Sequence, residues 1–209
     1  MRDMTENMRV LVFDHMAECT EAEVQRLLPL VSAQRREQAL RYKHTFGQYC
    51  CLKSWEMLSS IFPRCDHDKT TCEWRYNEHG KPYFENGPFF SISHCKEGIA
   101  VAVSEEPIGI DIEGIRKVDK DLIERVMNTR EQAQITAAEE PEREFTRLWT
   151  QKEAIVKAQG TGIQSFEQMQ TVLNNGHWTL ETFERANYIY SIAYGKLHCF
   201  SAKVQTADL

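Results

Sequence analysis

The chain has 209 residues, 42% apolar and 27% charged, enough for one larger soluble globular domain or two lobes of roughly 100 residues each. Its formal charge of −6 and sequence pI of about 5.7 disfavour general nucleic-acid binding, which draws its affinity from a basic surface. No segment approaches the roughly 18 apolar residues of a membrane span, and the polar start MRDMTENMRVLVFDH does not read as a secretory leader, so a cytoplasmic protein without nucleic-acid or membrane partners is expected.

Residues 8–16, MRVLVFDHM, predict a first strand, being short, apolar and valine-containing. From TEAEVQRLLPL (20–30) to SWEMLSSIF (54–62) the apolar spacing suits helices, with Thr20 and Ser32 available as N-caps. TTCEWRYNEHGKPYF (70–84) reads as strand, turn, strand, and residues 88–113 continue in short β runs broken at CKEG and EEP. DKDLIERVMNTREQAQI (119–135) and EREFTRLWTQKEAIVKAQG (142–160) have helical periodicity, Gly160 serving as a C-terminal stop. QTVLNNGHWTL (170–180) predicts a hairpin turning at Asn175-Gly176, and YIYSIAYGKLHCFSAKV (188–204) predicts closing strands. The class is α+β, and the second half repeats the rough order strand, helices, strands without a residue-level repeat.

Seven cysteines, an odd number with no CxxC, argue for reduced thiols rather than a disulfide framework. Cys65, His67 and Cys72 in CDHDKTTC lack the second half of a zinc site. Charge is uneven: SAQRREQALRYKH (32–44) is basic and EEPERE (139–144) acidic, which leaves room for a local anion site.

Two stretches carry candidate chemistry. In PIGIDIEGIRK (107–117), strand alternation points Asp111 and Glu113 to one face and Ile110 and Ile112 to the other. Such a pair either faces solvent or repels until a proton or cation lies between the acids, and oxygen ligands of this kind suit Mg²⁺. In LWTQKEAIVK (148–157), Glu153 and Lys157 are four apart on one helix face. They form either an ordinary surface ion pair or a third oxygen ligand and a cation for a metal-bound pyrophosphate.

IGIDIE (108–113) followed by LWTQKEAIVK closely resembles the paired signature of the 4′-phosphopantetheinyl transferases, and GKPYF (80–84) and FFSISH (89–94) resemble further elements of that family in the same order. The length and the basic helix resemble its surfactin-type, two-lobed, monomeric branch rather than the short, trimeric holo-acyl-carrier-protein synthases. The resemblance implies two similar α/β lobes related by pseudo-two-fold symmetry with the active site between them. Residues 1–105 would hold the nucleotide side of a coenzyme A site, and 106–209 the metal-binding elements. It implies transfer of 4′-phosphopantetheine from coenzyme A to a serine of an acidic apo carrier protein, a holo-acyl-carrier-protein synthase activity that releases 3′,5′-ADP.

Residue by residue, the resemblance implies that Asp111, Glu113 and Glu153 hold Mg²⁺, that Glu153 is also the base for the serine, and that Lys157 stabilises the leaving phosphate. Lys152 would lie against the coenzyme's phosphates, with His94, Ser93, Lys81 and Arg35, and more weakly Arg41, around the 3′-phosphate. Arg116, Lys117 and Lys120, before an apolar helix face of Leu122, Ile123, Val126 and Met127, would steer the carrier. The sequence departs from the branch at Cys50, where an arginine is common and for which Lys53 or Arg41 could substitute, and at Ser91, where many relatives have Asn. A catalytically silent coenzyme A-binding module and a Mg²⁺-dependent nuclease are the alternatives; the acidic chain disfavours the second.

Overall fold

The computed structural model describes residues 8–62, 74–85, 87–174 and 176–195. The CDHDKTTC segment and the second half of the expected closing strands lie outside them. Strand β1 (Met8–Phe13) leads to helices α1 (Glu21–Leu27), α2 (Ala33–Leu40) and α3 (Thr45–Ile61). The first two start as expected: the Thr20 and Ser32 hydroxyls accept from the Glu23 and Arg35 amides. A short hairpin, β2 (Trp74–Tyr76) and β3 (Pro82–Phe84), precedes β4 (Phe89–Cys95) and β5 (Gly98–Ser104), and β1-β5-β4 form an antiparallel sheet.

The second half opens with β6 (Ile108–Gly114), followed by α4 (Lys120–Val126), α5 (Thr129–Ala137), α6 (Pro141–Gln159) and α7 (Phe166–Thr171). β7 (Thr179–Glu184) and β8 (Tyr188–Tyr194) complete a second antiparallel sheet, ordered β6-β8-β7. The expected hairpin at 170–180 is corrected. Ser165 caps α7, and Met169 and Val172 are buried three residues apart, so this stretch continues helically to Asn174. The hairpin lies further on, where β7 pairs with β8 across residues 185–187. No helix among the described residues is long and apolar enough to cross a membrane.

Three apolar clusters result. One packs α1–α3 against the Ile99, Val101 and Val103 face of β5, and one surrounds α6. The third joins the halves: Ala100 and Ala102 of β5 meet Ile108, Ile110 and Ile112 of β6 and Tyr190 and Ile192 of β8. Alternation explains the sharing, since every residue of β5 is buried and its small alanines face the second sheet. On the same face of β4, Ser91 and Ser93 stand opposite Ala102 and Ala100. These small side chains admit β6, whose Ile110 amide donates to the Ser91 hydroxyl at 3.0 Å.

α6 lies on the other face of β6. At Gly109 an added Cβ would fall well inside van der Waals contact of the Ala154 carbonyl and the Ala158 amide, both backbone atoms of α6. Gly109→Ala is therefore expected to lower unfolding free energy by about 3 kcal/mol, the upper end for overpacking a core, in urea titration. An unchanged midpoint would mean that helix and strand are not in this contact.

Candidate active site

Between the halves lies a cavity of about 430 Å³ lined by Arg35, Ser93 and His94 from the first and by Asp111, Glu113, Glu153 and Lys157 from the second. The expected face-sharing of Asp111 and Glu113 places both in its wall. Asp111 is 2% exposed. Its Oδ1 accepts from the Ser93 hydroxyl at 2.8 Å and from the Lys157 ammonium at 2.6 Å, and Lys157 also donates to Ser93 at 2.9 Å. Its Oδ2 is buried and has no hydrogen-bond partner.

An orphaned carboxylate oxygen in a buried wall is costly unless something else meets it. Its neighbours are acids. Burial and the charge of Asp111 push the Glu113 carboxyl up to about 7, and the same two causes raise Glu153. Lys157 and, at Glu113, Arg116 supply opposing positive charge, and a cation entering the cavity would meet the free oxygen and relieve both repulsions. The donor set, three carboxylates, suits Mg²⁺. Among the described residues no three such groups are drawn together closely enough to enclose an ion already.

Several expected site residues are placed differently. Lys152, one residue from Glu153, turns about 100° away around the helix. It is fully buried and donates to Glu131 at 2.7 Å, to the Val126 carbonyl at 3.1 Å and to the Met169 carbonyl. Its ammonium joins α4, α5 and α7 to α6, and it is no phosphate contact. Glu131 closes a capping box with Asn128, so the pair anchors α5 as well.

Lys81 is also engaged. Its ammonium donates to the carbonyls of Ile108 at 3.2 Å, Ala158 at 3.4 Å and Lys157, so its three N–H groups are matched by three acceptors. Burial lowers its pKa to about 8. Arg41 pairs with Glu37 at 2.8 Å on an exposed face and does not line the cavity. Ser93 lines the same cavity as His94, but its hydroxyl is engaged, donating to Asp111 and accepting from Lys157.

His94 and Arg35 do reach the cavity. His94 is exposed at the end of β4, its ring edge-on to Phe46 at 6.0 Å; surrounding protein and then Lys157 lower its pKa below the ordinary histidine value. The Arg35 guanidinium donates to the Cys51 carbonyl at 2.8 and 3.2 Å and to Ser54 at 3.2 Å, which holds it against α3. Cys50 is fully buried in the first apolar cluster, so that position points away from the cavity. Lys53 offers no replacement there: it pairs with Glu56 at 2.7 Å over the Phe13 ring. The cysteines among the described residues are free, and burial pushes Cys50 and Cys95 up to about 12, keeping them protonated thiols.

Beyond Glu113 a second cavity of about 270 Å³ is lined by Arg116 and Lys117 over Val118, Leu122, Phe145 and Trp149. Lys120 stands outside it, exposed and 3.5 Å from Glu124. Of the expected apolar face, Val126 and Met127 are buried and Leu122 is exposed.

A family model described as the 4′-phosphopantetheinyl transferase superfamily matches residues 107–204, the part of the chain that contains β6 and α6. The second half of the chain is thus similar to this superfamily. It is 28% identical over 149 residues to 4′-phosphopantetheinyl transferase Sfp of Bacillus subtilis (strain 168), covering 69% of this chain and 66% of that protein. It is 38% identical over 110 residues to 4′-phosphopantetheinyl transferase gsp of Aneurinibacillus migulanus, covering 48% and 46%, and 44% identical over 96 residues to AcpT of Salmonella typhi, covering 42% and 50%. The matched segments thus span less than two thirds of these curated relatives' own length. In this chain, motif order did not disclose three bridging residues: Asn77, Ser91 and Glu131. An Asn three residues before a glycine, as in NEHG, is the one local cue among them, marking an Asx-stabilised turn.

Proposed function

We propose that the chain transfers 4′-phosphopantetheine from coenzyme A to a serine hydroxyl of an apo carrier protein and releases 3′,5′-ADP. The observation that carries this reading is the cavity in which Asp111, Glu113, Glu153 and Lys157 converge, with one buried Asp111 oxygen left without a partner. Asp111, Glu113 and Glu153 would hold Mg²⁺, whose role when bound is to neutralise the pyrophosphate oxygens.

The chain's own residues supply the rest. Glu153 accepts the serine proton as the serine oxygen forms its bond to the pantetheine-bearing phosphorus, and the bond from that phosphorus to the bridging oxygen breaks, its electron pair leaving with 3′,5′-ADP. Lys157, held beside the cavity by Asp111 and Ser93, offsets charge on the leaving phosphate. His94, neutral at pH 7 because its pKa is lowered, donates a hydrogen bond to the nucleotide's 3′-phosphate, and Arg35 adds positive charge to the same wall. We read residues 1–105 and 106–209 as the two lobes of the surfactin-type branch. Support comes from the matching strand order of their three-stranded sheets, first, last, middle in each. The protein acts in this reading as a cytoplasmic monomer.

The carrier docks at the groove beyond Glu113, where Arg116 and Lys117 rim an apolar floor and Lys120 extends the positive face. Changing these three residues to Glu should raise KM for the carrier about tenfold or more at low salt, with KM for coenzyme A unchanged, because steering of this kind acts on association. Equal carrier saturation by both proteins would move docking elsewhere. The reading itself is tested by release of 3′,5′-ADP that depends on both coenzyme A and the carrier's serine. Release with a serine-to-alanine carrier would identify hydrolysis instead, and no release would leave the silent binding module.

A further inference from the structure

We propose that the β2–β3 hairpin is a clasp: Asn77 and Lys81 are positioning residues that seat the C-terminal end of α6 on β6 and so set Glu153 and Lys157 in the cavity. The kinetic part of this inference rests on the transfer reading above.

The clasp is built from both ends. Asn77 organises its own turn, its Oδ1 accepting from the amides of His79 at 3.0 Å and Lys81 at 2.8 Å, while its Nδ2 reaches across to donate to the Gly160 carbonyl at 2.7 Å. Lys81 then places its ammonium on the carbonyls of Lys157 and Ala158, two of the four that a helix ending at Gln159 cannot satisfy internally, where positive charge also suits the helix dipole. Its third acceptor, Ile108, lies on β6 next to Gly109, the position at which strand and helix backbones touch. One ammonium therefore fastens hairpin, strand and helix together.

Gly160 shows how close the fit is. It ends α6 at φ +74°, and a Cβ there would stand 3.2 Å from both Asn77 Nδ2 and Lys81 Cδ. The geometry also separates this role from phosphate binding, since an ammonium with three carbonyl acceptors has no N–H free for a fourth. The held carbonyl at Lys157 belongs to the residue whose side chain grips Asp111, so slack in the clasp is transmitted to the reacting groups.

The test uses the full chain with Asn77→Ala and, separately, Lys81→Met. Each is expected to lower kcat about tenfold or more, since displacement of about 1 Å at a reacting group costs up to about a hundredfold. The loss should be equal with coenzyme A and dephospho-coenzyme A, and calorimetric affinity for 3′,5′-ADP should be retained. The double variant should lose less than the product of the two single losses, because both residues act on one clasp. Hydrogen exchange at the amides of Val156–Gly160 should quicken in both variants, an expectation independent of any transfer activity. A Lys81→Met defect that shrinks with dephospho-coenzyme A, or that is matched by lost 3′,5′-ADP affinity, would make Lys81 a phosphate contact and overturn the proposal. So would unchanged exchange at Val156–Gly160. If the wild-type chain transfers from neither donor, the transfer reading fails, and the exchange result alone decides the clasp.

Discussion

Asp111→Asn is expected to lower phosphopantetheine transfer about a thousandfold, equivalent to about 4 kcal/mol of lost transition-state stabilisation, with the fold retained. The change is nearly isosteric but removes the charge that Lys157 and the Ser93 hydroxyl face at Oδ1 and replaces one oxygen by a donor. Lys157 keeps Ser93 but loses the charge of its carboxylate partner. The buried Oδ2, the atom best placed to meet a cation, either disappears or becomes an amide oxygen with much weaker attraction for one. Glu153→Ala should show a loss of similar size by removing both a candidate ligand and the base. Initial rates of carrier modification, with circular dichroism to confirm folding, check both. A near-normal rate in either variant would remove the carboxylate cluster from the mechanism.

Lys152→Ala should instead act on stability, lowering unfolding free energy by about 3–5 kcal/mol, the usual consequence of stranding one partner of a buried ion pair. Glu131 would keep its carboxylate in the interior with its cation gone, and the carbonyls of Val126 and Met169 would lose a donor. Urea titration reads this directly. A variant of unchanged stability whose KM for coenzyme A rises sharply would return Lys152 to the phosphates and contradict the buried placement.

Lys152 also shows where local sequence stops being informative. QKEAIVK displays two lysines and a glutamate as one motif, yet successive helical residues diverge by about 100°, so Glu153 and Lys152 cannot share a face. What draws Lys152 inward is Glu131, twenty-one residues upstream and part of a different helix. Lys81 was obscured similarly: a lysine in a GKP turn is an ordinary exposed cation until the end of a helix seventy-six residues away comes within reach. Asp111 and Glu113 were legible because alternation in a strand needs only their own spacing. Gly160 and the Thr20 and Ser32 caps were legible for the same reason, as each acts within a few residues. At 170–174 the expected hairpin arm misled, since burial of Met169 and Val172 three residues apart continues the helix there; Asn175, of the expected turn pair, lies outside the described residues.

The proposal that two lobes converge on one magnesium-dependent transfer site is tested most directly by the intact mass of an apo carrier protein after incubation with coenzyme A, Mg²⁺ and this chain. The expected result is a gain of one phosphopantetheine on the wild-type carrier that disappears with a chelator, with Asp111→Asn, or when the carrier's serine is replaced. A carrier whose mass stays unchanged with the wild-type chain, or which gains the group equally with Asp111→Asn, would contradict it.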